Sequence, residues 1–67
     1  MENDLNVYRA MEDITQGELA DRVGVSRQTI NSIETGRYDP SLELAFELAD
    51  EFDCQIEALF EYDPEDE

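Results

Sequence analysis

The chain has no lysine, no histidine and no tryptophan, and only one cysteine, two prolines and three glycines among its 67 residues. The lone cysteine, Cys54, rules out an internal disulfide and any multi-cysteine zinc site. No histidine is present to ligate a metal, and no nucleophile beside a base, metal cluster or phosphate-binding loop stands out. Neither an enzyme, a cofactor nor a small-molecule ligand is therefore expected. No apolar run is long enough to span a membrane and no basic-then-apolar leader opens the sequence, which points to a cytoplasmic protein. The length suits one domain, residues 1–67, too small for a large catalytic cleft and near the size at which a single core is marginal. Added stability from a second subunit fits that size.

What is present is organised around Thr15 to Gly36, TQGELADRVGVSRQTINSIETG, which reads as two short helices joined by a tight turn. Thr15 caps the first of these, and Glu18 three residues on completes a capping box. Leu19, Ala20 and Val23 fall on one helical face. Gly24 then permits the left-handed conformation that ends the helix, and Val25 plugs the turn. Ser26 caps the second helix, Ile30 and Ile33 face inward together, and Gly36 stops it. At about 100° per residue, Gln28 and Ser32 point away from those isoleucines, flanked by Thr29, Asn31 and Thr35. A merely solvated face more usually carries Glu and Lys pairs, whereas amides and hydroxyls suit a surface that lies against something patterned.

Residues 15 to 36, with Arg9 and the run Gly-Arg-Tyr-Asp-Pro-Ser-Leu at 36 to 42, resemble the Cro/repressor-type helix-turn-helix family, also called the xenobiotic-response-element family. The pattern TQ..LA..VGVSRQTI..IE.GRY.PSL is long and gapless, and the likeness runs from Asn3 to about Phe60. It implies an all-α, compact five-helix, lambda-repressor-like domain. It further implies a sequence-specific transcriptional regulator, most often a repressor, that binds double-stranded DNA as a homodimer. In such proteins the arginine at Arg9 pairs with the glutamate at Glu34, locking the first helix to the third in a two-bond fork. A glutamine at Gln16 touches the DNA backbone and can brace the recognition helix, at a helix N-terminus that favours phosphate. Arg37 and Tyr38 lie along the DNA backbone, although Tyr38 could equally pack its ring on the domain.

Arg27 and Gln28, at the start of the recognition helix 27–35, are the expected base readers. Arginine can donate twice to guanine O6 and N7, and glutamine can match adenine, each discriminating by roughly 1 to 3 kcal/mol. Ser32 and Asn31 add base or water-mediated contacts, and Thr29 touches a phosphate or a thymine methyl; for Asn31 simple exposure competes evenly.

Charge runs against this assignment. Nineteen acidic residues face four basic ones, a net charge of −15, the opposite of the usual basic footprint of a nucleic-acid binder. All four basic residues are arginines, however, and Arg22, Arg27 and Arg37 fall in or beside the helix-turn-helix. An acidic, lysine-free surface resembles proteins of salt-loving microbes, because in molar salt the screening length is only about 3 Å and self-repulsion fades. An acidic interaction surface is the alternative.

The flanks complete the expectations. A polar lead, Met1 to Asp4, precedes a helix from about Leu5 to Glu12, with Leu5 and Tyr8 facing the core and Val7 sharing that role. Asp13 takes a left-handed turn and Ile14 staples the next helix. Asp39-Pro40-Ser41 forms a turn and cap before a fourth helix, Leu42 to about Phe52, with Leu42, Ala45, Leu48, Ala49 and Phe52 buried and Leu44 and Phe46 at the edges. Asp53 is a left-handed stop and Cys54 a buried thiol, with a redox or intersubunit role as the alternative. A last helix, about Gln55 to Phe60, leaves Ile56, Leu59 and Phe60, followed by Tyr62, as the candidate dimer interface. The acidic stretch 63–67 is expected to fray. A second function of a different class remains: an antitoxin-like or coactivator-like module that uses this fold on a protein partner.

Overall fold

Six fully buried aliphatic side chains, Leu5, Leu19, Ile30, Ile33, Leu48 and Leu59, draw together five helices in a computed structural model that describes residues 1–62. The expected frayed tail, 63–67, lies outside the described residues. The elements run β1 (Glu2–Asn3), α1 (Leu5–Met11), α2 (Gln16–Val23), α3 (Arg27–Glu34), α4 (Leu42–Glu51), α5 (Ile56–Leu59) and β2 (Phe60–Glu61).

The helices start and stop where local chemistry dictates. The Thr15 hydroxyl accepts from the Glu18 amide at 3.0 Å while the Glu18 carboxylate accepts from the Thr15 amide at 3.2 Å, a reciprocal capping box. Ser26 caps α3 through the Thr29 amide and Ser41 caps α4 through the Leu44 amide, both at 3.1 Å. Between α2 and α3, Gly24 sits at φ 76°, a left-handed conformation that an L side chain resists. Asp13 and Asp53 adopt the same region at 54° and 52°, which short carboxylate side chains tolerate.

The polar lead holds a pairing the sequence reading did not foresee: β1 pairs antiparallel with β2, setting Glu2 opposite Glu61 and Asn3 opposite Phe60, and the Asp4 amide donates to the Leu59 carbonyl at 2.9 Å. The burial expected of several apolar side chains needs correction. On α4 the buried stripe is Leu44, Ala45, Leu48 and Ala49, while Leu42 is 69 % and Phe46 55 % exposed. At 3.6 residues per turn Leu42 falls about a quarter-turn from the centre of that stripe, and Phe46 falls on the far side. Leu59, expected at a subunit interface, is only 1 % exposed because α5 spends it on the core. Val7 is exposed as well, whereas Tyr8 tilts against Phe52 with ring centroids 5.7 Å apart.

Candidate nucleic-acid interface

The outward face of α3 is fixed from behind by its buried side. Ile30 and Ile33 are fully buried, so the opposite side of an eight-residue helix has to face out. Arg27, Gln28 and Asn31 are exposed there, and Thr29 and Ser32 are half-buried. Gln28, Thr29 and Ser32 line one open groove with Ser26 and Tyr38, and Gln16 and Arg27 line another with Thr15 and Gly17. The Thr29 hydroxyl is shared with the cap, 2.9 Å from Ser26 Oγ. Tyr38 keeps 47 % of its surface open.

A polar lattice fixes the helix along its length. Arg9 Nε donates to Glu34 Oε2 at 2.8 Å and Arg9 Nη2 to Glu34 Oε1 at 3.2 Å, the two-bond fork, while Nη1 donates to the Ile14 carbonyl at 3.1 Å. The hydrogen bond to Glu34 raises the basicity of the Arg9 guanidinium, against a smaller opposing effect of burial. Gln16 Nε2 donates to Glu34 Oε1 at 3.0 Å and to Asn31 Oδ1 at 3.2 Å, tying the start of α2 to the middle and end of α3. At the far end, Asn3 Nδ2 donates to the Ile33 carbonyl at 2.8 Å while its Oδ1 accepts from the Leu5 amide. Beyond it the Ser32 carbonyl accepts from the Arg37 and Tyr38 amides at 3.0 and 3.2 Å, holding the loop that carries both side chains. Asn3 was not singled out by sequence reasoning. Its partner lies 30 residues away, and no periodicity or local motif encodes such a contact.

The arginines divide by role. Arg9 is committed to Glu34, and Arg22 Nη1 reaches Glu51 Oε1 at 3.1 Å, bridging α2 to α4. Among the described residues Arg27 and Arg37 make no ion pair, and both are exposed, one at the start of α3 and one just past its end. The expected subunit-contact residues lie elsewhere: Ile56 and Phe60 are half-buried and Tyr62 is 67 % exposed. Cys54 is half-buried, and burial pushes its thiol up, helped by Asp53 and opposed by a Tyr8 hydrogen bond. Among the described residues no acidic or cysteine cluster fits a metal ion, and no helix is long and apolar enough to cross a membrane.

Comparison with known proteins agrees with this geometry. A helix-turn-helix family model matches residues 6–59. An uncharacterized HTH-type transcriptional regulator of Methanocaldococcus jannaschii is 52 % identical over 66 residues, covering 98 % of this chain and all of that protein. One from Archaeoglobus fulgidus is 46 % identical over 66 residues, covering 98 % and 93 %. Among solved structures, the restriction-modification controller protein C.AhdI from Aeromonas hydrophila superimposes with a TM-score of 0.76 at 28 % identity, over 84 % of this chain and 81 % of that one. Capped helices around a left-handed glycine, an outward polar face and near-full-length kinship converge: the chain belongs to the xenobiotic-response-element type of helix-turn-helix proteins, a family of transcriptional regulators and not of enzymes.

Proposed function

We propose that this protein is a cytoplasmic, homodimeric repressor that lays α3 in the major groove of a two-fold symmetric operator, with half-sites about one helical turn apart. The observation that carries the reading is the division of the arginines. In a chain of net charge −15, the two without a carboxylate partner among the described residues bracket the outward face of α3. In this reading Arg27 and Gln28 contact base edges, with Ser32 and Asn31 beside them. Thr29, Arg37 and Tyr38 contact phosphates and so set register without reading sequence. The test is selection of DNA from random pools in molar salt. Enrichment of a palindromic sequence is expected, and failure of any sequence to outcompete random DNA would reject the proposal.

The dimer surface is assigned to the apolar side chains the core leaves open. Leu42 and Phe46 are exposed one turn apart on α4, and Phe46 borders a groove with Cys54 and Ile56, with Phe60 and Tyr62 on the following segment. Phe46→Glu should convert a sedimenting dimer to monomer and weaken binding to a two-half-site operator by roughly a hundredfold or more. A wild-type chain that sediments as a monomer at operator-binding concentrations would remove this part of the proposal. The acid-rich, lysine-free composition further fits a protein adapted to a salt-rich interior.

A further inference from the structure

The hydrogen bonds around Glu34 decide which end of the Asn31 amide faces outward. A carboxylate locked by the Arg9 fork can only accept, so the Gln16 group at 3.0 Å from Glu34 Oε1 has to be its NH2. That same nitrogen lies 3.2 Å from the Asn31 amide, and a nitrogen that donates requires an oxygen there. Asn31 Oδ1 is thereby turned toward α2, and Asn31 Nδ2, which has no protein acceptor among the described residues, is turned to solvent. Asn31 is exposed and lies four residues after Arg27 and three after Gln28, on the same strip of helix surface. The edge of α3 nearest α2 consequently offers a guanidinium and an amide NH2, both donors.

We infer that Gln16 is a specificity-determining positioning residue, which holds Asn31 as a hydrogen-bond donor so that Asn31 and Arg27 together select guanine, the base that offers two acceptors, O6 and N7, in the major groove. This rests on the reading of α3 as the DNA-facing helix. A free asparagine can turn its amide to match adenine, offering donor and acceptor together. Here the Asn31 oxygen is held by Gln16, and the orientation is passed from Arg9 through Glu34 and Gln16 to the surface. Adenine loses its two-bond match and keeps a single acceptor, N7, whereas guanine offers both O6 and N7 to the paired donors.

The test compares sequences enriched from random DNA by wild type, Gln16→Leu, Asn31→Ala and the double variant, each first checked for a wild-type circular dichroism spectrum and melting transition. Wild type should enrich guanine at the half-site position that Asn31→Ala makes indifferent. Gln16→Leu should lower the guanine-over-adenine preference at that position about tenfold and leave preferences elsewhere intact, and the double variant should match Asn31→Ala there. Replacing that guanine by 7-deazaguanine should weaken wild type more than Asn31→Ala. An affinity loss in Gln16→Leu spread evenly over all positions would identify Gln16 and Asn31 as phosphate contacts and overturn the inference, as would unchanged preferences. Enrichment of no sequence by wild type would reject DNA reading itself and this inference with it. Should Gln16→Leu fail to fold, Gln16→Glu supplies the second variant, and retained guanine preference in it would equally overturn the inference.

Discussion

At the residue scale, Arg27 and Arg37, the two arginines without ion pairs among the described residues, are expected to do different things. Arg27→Ala should relax preference at one or two base pairs, at a cost of roughly 1 to 3 kcal/mol for the preferred sequence. Arg37→Ala should weaken all sequences alike and reduce the logarithmic salt slope by about one per subunit. Competition binding against single-base operator variants separates the two, and identical profiles would contradict the division. Cys54 gives a prediction of another kind. Its thiol is pushed up in the folded state, so the native chain holds that proton more tightly than the unfolded chain. Stability from this residue is complete below the thiol's ordinary range, about 8.5, and declines as pH rises through the raised value. Wild type should therefore lose more melting temperature between neutral and alkaline pH than Cys54→Ala does; parallel curves would refute this.

At the element scale, the turn between α2 and α3 rests on backbone conformation. A Cβ added at Gly24 meets nothing within 4 Å, so Gly24→Ala isolates the penalty of φ 76° and should cost roughly 1 to 2 kcal/mol in denaturant unfolding. A neutral result would mean the turn relaxes. Such caps and stops were legible in the sequence because the interactions that set them span about four residues. Thr15 with Glu18, Ser26 with Thr29, and the left-handed Asp13 and Asp53 are all of this kind. The pairing of β1 with β2 was not legible, since two residues carry no alternation and the partner strand is nearly sixty residues away along the chain. Nor was the rotation of α4: nearly every apolar residue in LELAFELADE could belong to a stripe, and only packing chose Leu44 over Leu42. On the outward face of α3, residue types and their exposure were legible. Of the polar links that hold α3, the Arg9–Glu34 fork and a bracing role for Gln16 were legible through family likeness, while the partners of Gln16, Asn31 and Glu34, and the Asn3 bond to the Ile33 carbonyl, were not.

At the scale of the whole molecule, charge governs conditions more than shape. With 19 acidic side chains, and Glu2 set directly opposite Glu61 in the two-residue ribbon, low ionic strength leaves like-charge repulsion unscreened there. Melting temperature should rise steadily from dilute buffer to molar salt, and amide exchange at Asn3 and Phe60 should slow before exchange at Leu48 changes. A flat circular dichroism titration would show that the acidity has no bearing on folding. Affinity for DNA should meanwhile fall only gently with salt, with a logarithmic slope near two per subunit if Arg27 and Arg37 alone displace counterions. A much steeper slope would require cationic contacts this surface does not offer.

The side chains that seat α3, Ile30, Ile33 and Glu34, are distinct from Arg27, Gln28 and Ser32 on its open side. If α3 reads DNA as proposed, mutation can therefore rewrite what the rod is addressed to without loosening its socket. Descendants of one ancestral gene could drift from one promoter to another at almost constant thermal robustness, and a protein engineer could exploit the same freedom by randomising those three positions alone.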